Sequence, residues 1–285
     1  MFLRLWLLLA LAAGCNASPE VTDPPPEAMG EAEAAPADTI RADWGAHFEA
    51  AGARGTFVLL DTETGQVSRF DPGRAAERFS PASTSKVFNA LVFLDRGVVT
   101  DPDSMLAWDG IDRRMDAWNR DHSLRTGVEF SAVWLFQRLA REVGQSGYDE
   151  VFARQPYGNS TMGEPLDMAW LNGTLRISAD EQVRFLDGLR CGTLGFSPDA
   201  QATTREILPE LASGDGWVLR AKTGWGIPDG EPSIGWLVGW VEREEGDLVF
   251  AMNATEASAG SFDIGPGRLQ IVRAVLGGEG FLSGD

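Results

Sequence analysis

The chain has 285 residues, enough for one sizeable hydrophobic core or for two lobes sharing a cleft. It is 44% apolar and 23% charged, an ordinary balance for a globular protein, and its formal net charge is −18. With no basic cluster, these values argue against nucleic acid, or an anionic lipid surface met through a positive patch, as a partner.

The first residues do not read as part of the fold. Arg4 supplies a positive charge ahead of the uninterrupted apolar run Leu5–Ala13. That run is too short to span a bilayer but suits the apolar region of an export signal. Ala12-Ala-Gly-Cys15 follows. Small residues before a cysteine mark bacterial lipoprotein cleavage sites, although Ala12 stands where leucine is usual. Residues 1–15 are therefore read as a signal segment ending at a lipidation site, Cys15. The protein is expected in the periplasm, anchored to a membrane through its lipid. The alternative is that Cys15 closes an ordinary secretory signal. Residues 16–37 are rich in Pro, Ala and Glu, cannot bury enough apolar surface to fold, and read as an acidic tether. Cys191 reads as a small buried hydrophobe near a helix end, and no disulfide is expected within the mature domain.

Residues 38–285 form the expected folded domain. Ile40, Trp44, His47 and Phe48 recur at helical spacing up to Gly52, which predicts an amphipathic helix. Thr56–Asp61 and Gln66–Phe70 flank Thr62-Glu-Thr-Gly65, a β-hairpin pattern. The middle of the chain reads as mostly helical. Ser131–Val143 is one helix closed by Gly144, and another starts at Ser178, where Ser178 and Glu181 make a capping box. Strands return at Trp217–Thr223, Ser233–Glu242 and Asp247–Asn253, and Arg268–Leu276 is a last helix. The expected class is α/β, an antiparallel sheet flanked by terminal helices beside an all-helical lobe.

Pro81-Ala-Ser83-Thr-Ser-Lys86 is the segment richest in chemistry. Pro81 precedes an apolar helix, so Ser83 falls in its first turn and Lys86, three residues on, shares its face. The free N–H groups of that turn favour negative charge developing near Ser83. A serine hydroxyl needs a base to become a nucleophile. A lysine serves only when neutral, and at its free pKa of about 10.4 roughly one in a thousand is neutral at pH 7.4. Burial by Val87, Phe88 and Leu91 would lower that pKa. A lone S-x-x-K is common by chance, but companions follow in order: Ser131-Ala-Val133, Tyr157-Gly-Asn159 and Lys222-Thr-Gly224. The last sets a cation and a hydroxyl on a strand, a dock for a substrate carboxylate. His47 and His122 are far apart, with no metal-ligand spacing, so no metal is expected.

With these motifs the chain resembles the class D serine β-lactamases from about Asp43 to its end. Ser131–Gly144, Trp170–Ser178 and Gly235–Glu242 are similar to other marked segments of that family. The resemblance implies a β-lactamase/transpeptidase-like fold and hydrolysis of β-lactams through an acyl-serine on Ser83. It implies that Lys86 is carboxylated by carbon dioxide to N6-carboxylysine, the general base, with no other cofactor. Ser131 would pass a proton to the leaving nitrogen, Val133 would cover the carbamate pocket, and Trp170 would hydrogen-bond the carbamate. Lys222, Thr223 and Arg268 would hold the substrate carboxylate. The N–H groups of Ser83 and Trp225 would form the oxyanion hole, and Tyr157 would belong to the substrate-binding set. Trp118 is a candidate wall of the cleft. Ser85 stands where the family often has Phe, and residues 225–233 form an individual loop, which leaves the substrate spectrum open. The rivals are a penicillin-sensing receptor domain that acylates without turnover, and a D,D-peptidase.

The leader generates a first prediction. Cys15→Ala should move the protein from the membrane fraction to the soluble periplasmic fraction of a bacterial host. Wild-type protein found soluble with an unmodified N-terminus would remove the anchor.

Overall fold

The computed structural model describes residues 38–282 apart from Asp229. The expected signal, Cys15 and the tether lie outside the described residues.

In chain order the elements are β1 (Thr39–Ile40), α1 (Gly45–Ala50), β2 (Ala53–Asp61), β3 (Val67–Phe70), α2 (Pro72–Ala76) and α3 (Ser85–Asp95). The helical middle comprises α4 (Leu124–Glu129), α5 (Val133–Arg154), α6 (Ala169–Asn172), α7 (Ala179–Cys191) and α8 (Pro198–Glu206). Then come β4 (Glu210–Gly214), β5 (Trp217–Gly226), β6 (Ile234–Arg243), β7 (Leu248–Glu256) and α9 (Ile264–Gly278). The strands form one seven-stranded sheet in the order β1-β3-β2-β7-β6-β5-β4. Every pairing is antiparallel except β1 with β3.

Alternation along the central strands feeds two cores. Phe57, Leu59, Leu248, Phe250 and Met252 point to one face, where Trp44 and Phe48 of the N-terminal region and Ile271 and Val275 of α9 cover them. Val58, Val249 and Ala251 point to the other face and join Phe88, Leu135, Phe136 and Leu186 of the helical region. Side chains that alternate across a pleat and are buried on both sides explain why these strands are apolar almost throughout. The expected α/β architecture, with terminal helices on the sheet and a separate helical lobe, is the observed one.

Four local expectations are corrected. Ile40 does not join the first helix. It pairs with Arg69 in β1 and is 69% exposed, so its apparent helical periodicity with Trp44 is accidental. α5 does not stop at Gly144 but resumes to Arg154 across a break there, with φ 70° and ψ 168°, a conformation that suits glycine. β5 extends through the Lys222-Thr-Gly224 triplet to Gly226. The short β4 pairs with its start; Glu210-Leu-Ala-Ser-Gly214 has too little alternation to announce a strand. Cys191 ends α7 but is only half-buried, beside Arg190 and Asp187.

The capping box forms as expected. Glu181 N–H donates to Ser178 Oγ at 3.1 Å, and Ser178 N–H donates to a Glu181 carboxylate oxygen at 2.9 Å. Ser178→Ala should therefore cost about 1 kcal/mol. For a domain of this size that lowers the melting temperature by about 2–4 °C, measurable by calorimetry; an unchanged melting temperature would mean that tertiary packing alone fixes the start of α7.

Candidate active site

Pro81-Ala-Ser83 makes a sharp turn from the sheet face into α3. Ala82 has φ 48°, a left-handed conformation that is costly for a residue with a Cβ and is often found at functional sites. Side chains lock the turn from within: Thr84 Oγ1 donates to Pro81 O and Ser85 Oγ donates to Ala82 O, both at 2.7 Å. Gln182 of α7 adds a donor to Thr84 Oγ1 at 2.9 Å. From Pro81 to Phe93 every residue is buried except Ser83. The turn presents one hydroxyl and hides everything else.

Gly224 lets this turn reach β5. A Cβ there would lie 3.0 Å from Pro81 O and 3.1 Å from Thr84 Cγ2 and Trp236 Cβ. Glycine in the triplet is thus a spacing requirement that brings the nucleophile turn against the strand carrying Lys222.

Lys86 Nζ donates to Ser83 Oγ at 3.1 Å and lies 5.0 Å from the centre of the Phe136 ring. The residue has no exposure. Burial lowers its pKa from 10.5 to about 7, so near neutral pH about half the molecules carry a free amine. Val87, Phe88 and Leu91 are buried as expected. Phe136 of α5, which had no assigned role, is the ring beneath the amine.

Lys222, 2% exposed, donates to Ser131 Oγ and, at 3.1 Å, to Thr223 O. Burial first, and then the positive charges of Lys86 and Arg268, push its pKa well below the usual lysine value. Because Ser131 Oγ accepts from Lys222, its own hydrogen is free for another acceptor. Ser131 is not part of α5, contrary to expectation. It precedes the helix with φ 57°, and Val133 is the half-buried first residue of α5.

Arg268 Nη1 donates to Gly224 O, and burial lowers its pKa from 12.5 to about 10. Gly235 leaves it room, since a Cβ there would stand 3.2 Å from Arg268 Cδ. Among the described residues no carboxylate forms an ion pair with Lys86, Lys222 or Arg268. Basic side chains buried without a paired anion gain protons more readily when a negatively charged ligand arrives, so the site favours such a ligand.

Trp170 is fully buried, and its indole Nε1 has no hydrogen-bond partner. The residue is tied to the nucleophile segment: Ser80 Oγ donates to Trp170 O and Trp236 Nε1 donates to Ser80 O, both at 2.9 Å. Thr223 is half-buried, and Trp225 is 49% exposed with its indole on Ser233 Oγ at 2.8 Å.

Tyr157 requires a correction. It is 1% exposed and stacks on Phe88 at 4.5 Å, with its hydroxyl 3.5 Å from Gln182 Oε1. It supports α3 from within the core and is not a substrate contact. Its triplet-mate Asn159 pairs with the backbone of Thr174 and Arg176, so Tyr-Gly-Asn is a structural motif of the loop. Among the described residues no cluster of three or more His, Cys, Asp or Glu could hold a metal. Nor is any helix long and apolar enough to cross a membrane.

A serine beside a buried, partly neutral lysine, a second hydroxyl on a second buried lysine, and an arginine at the strand can perform acyl transfer on a substrate bearing an anion. Known proteins agree with this geometry. The penicillin binding protein transpeptidase domain family matches residues 55–276. Beta-lactamase OXA-48 of Klebsiella pneumoniae is 39% identical over 210 residues, 74% of this chain and 78% of the relative. The crystal structure of FUS-1 (OXA-85), a class D beta-lactamase from Fusobacterium nucleatum subsp. polymorphum, superposes with a TM-score of 0.80 at 34% identity, covering 86% of this chain and all of that one. The C-terminal domain of the Bacillus licheniformis BlaR penicillin-receptor is also similar, with a TM-score of 0.78 at 30% identity over 86% of this chain and 97% of its own.

Proposed function

This chain belongs to the class D β-lactamases, serine hydrolases, and from that premise we propose that it hydrolyses β-lactam antibiotics through an acyl-enzyme on Ser83, with a carboxylated Lys86 as general base. Ser83 Oγ attacks the lactam carbonyl carbon as its proton leaves toward the Lys86 side chain. The C–N bond breaks, and the nitrogen takes the Ser131 hydroxyl proton, which the Lys222 side chain replaces. The proton held at Lys86 passes back to Lys222, Lys86 then takes a proton from the water that attacks the ester, and Ser83 leaves with that proton. The N–H groups of Ser83 and Trp225 hold the oxyanion in both halves. Export to the periplasm and lipid attachment at Cys15 rest on the leader sequence alone.

One observation supports the modified lysine above the free amine. Trp170 Nε1 is a buried donor with nothing to bond, and an orphan donor of this kind costs stability unless a group absent from the bare chain meets it. Carboxylated, the Lys86 side chain would offer a carboxylate oxygen to Trp170 and a base able to activate water. Lys86 fits as the acceptor of carbon dioxide because desolvation leaves about half of its amine neutral near pH 7.

The sign of the pH dependence follows. Only the neutral amine takes up carbon dioxide, so the reactive form is lost as pH falls below about 7. Enzyme depleted of carbon dioxide at about pH 5.5, well under that pKa, and returned to a neutral assay should regain its rate on a chromogenic cephalosporin when bicarbonate is added. It should also turn over many equivalents. No response to bicarbonate at any pH, together with no carbamate signal by carbon-13 NMR, would leave Lys86 acting as a free amine. A single equivalent of product would favour the second reading, a penicillin receptor that acylates and stops, which the similarity to the BlaR domain supports.

Arg268 and Thr223, with Lys222, are proposed to hold the substrate carboxylate. Arg268→Ala should lower kcat/KM for a penicillin roughly 10- to 100-fold, the worth of one charge-assisted hydrogen bond. An unchanged kcat/KM would leave Arg268 only its tie to the Gly224 carbonyl.

A further inference from the structure

Ser131 lies between α4 and α5, and the Lys222 that donates to it belongs to a strand far along the chain. Its left-handed backbone, with φ 57°, is one that a residue with a side chain rarely adopts. Something must hold it there.

Trp118 touches both sides of this serine. Its indole N–H donates at 2.8 Å to the carbonyl of Phe130, the residue before Ser131. Its carbonyl accepts at 2.8 Å from the indole of Trp134, three residues after Ser131. Trp118 is in turn fixed through its neighbour Ala117, whose carbonyl accepts from His122 Nε2 at 2.9 Å. With Nε2 the donor, the other ring nitrogen of neutral His122 accepts from Thr126 Oγ1 at 3.1 Å, on α4. Burial holds the His122 pKa down, which keeps that tautomer neutral. The guanidinium of Arg120 lies 4.5 Å over the ring of Phe130.

We infer that Trp118, Trp134 and His122 are positioning residues that clamp Ser131 from both sides, setting its hydroxyl for proton transfer to the departing lactam nitrogen. This rests on the proposed role of Ser131 as proton donor. The two indole–carbonyl bonds, one given and one received by Trp118, hold the backbone on either side of the serine while Lys222 meets its hydroxyl, and a small shift of that backbone would misdirect the free hydrogen.

The test uses leaving groups that differ in their need for a proton. An amide nitrogen must be protonated to leave, whereas a 4-nitrophenolate leaves as an anion. Pre-steady-state acylation is measured with a penicillin and with an acylglycine 4-nitrophenyl ester, for wild type, Trp118→Phe, Trp134→Phe and Ser131→Ala. Phenylalanine keeps one aromatic ring and removes the N–H together with the rest of the indole, so melting temperatures are read alongside to separate a general loss of packing. Each indole variant should acylate about tenfold more slowly with the penicillin, as expected for one lost N–H···O bond that aligns a reacting group. The ester rate should fall less than about threefold. Trp118→Phe added to Ser131→Ala should cost nothing further, since both act on one proton transfer. Equal losses with both substrates would reduce the clamp to general stability and overturn the inference, as would a wild-type penicillin rate in both indole variants. If Ser131→Ala itself loses the two substrates equally, the proton-donor role fails and the clamp has nothing to position.

Discussion

An ammonium at Lys86 Nζ would sit in a pocket of carbon, with the Phe136 ring on one side and α3 packed around it. Buried in this way, the charged form loses solvation that no partner charge returns, and the amine is about half neutral near pH 7. The rest of the site depends on that single desolvation. In the proposed reaction it lets Lys86 act as the base for Ser83, 3.1 Å away, and take up carbon dioxide in place of a carboxylate residue.

Desolvation of this kind must be built by two structures at once. The sheet supplies the wall, through β5 and the close approach that Gly224 permits. The helical region supplies the Phe136 ring of α5 on the other side. Bonds between Ser80, Trp170 and Trp236 pin the two together immediately before the nucleophile turn. Lys86 and Arg268 in turn crowd Lys222 with positive charge and favour its neutral form, and the same basic cluster attracts an anion.

Of the four described residues with a Cβ at positive φ, two, Ala82 and Ser131, flank or form the proposed reacting groups. Each position costs stability that local hydrogen bonds must offset, and each is over-determined: Ala82 by the hydroxyls of Thr84 and Ser85, Ser131 by the two tryptophans around it.

Ser83 and Lys86 were legible because a helix forces residues three apart onto one face, and because the apolar stretch after them announced burial. Lys222 and Ser131 were legible only as ordered companions, and the Ser178 cap and the central strands came from local patterns that need no tertiary knowledge. Other features were decided by packing alone. Ile40 matched a helical period but was claimed by β3, because backbone pairing to a neighbouring strand satisfies its N–H and C=O groups whatever the local period. Tyr157 stood in a motif and could have faced ligand or core; contacts from α3 and α7, distant in sequence, turned it inward. The seat of Phe136 beneath an amine from another helix, and the orphan indole of Trp170, arise from long-range contact, on which a linear pattern is silent. The sequence alone determined which residues could do chemistry; the tertiary structure decided which of them share a dry pocket, because desolvation belongs to a volume and not to a stretch of chain.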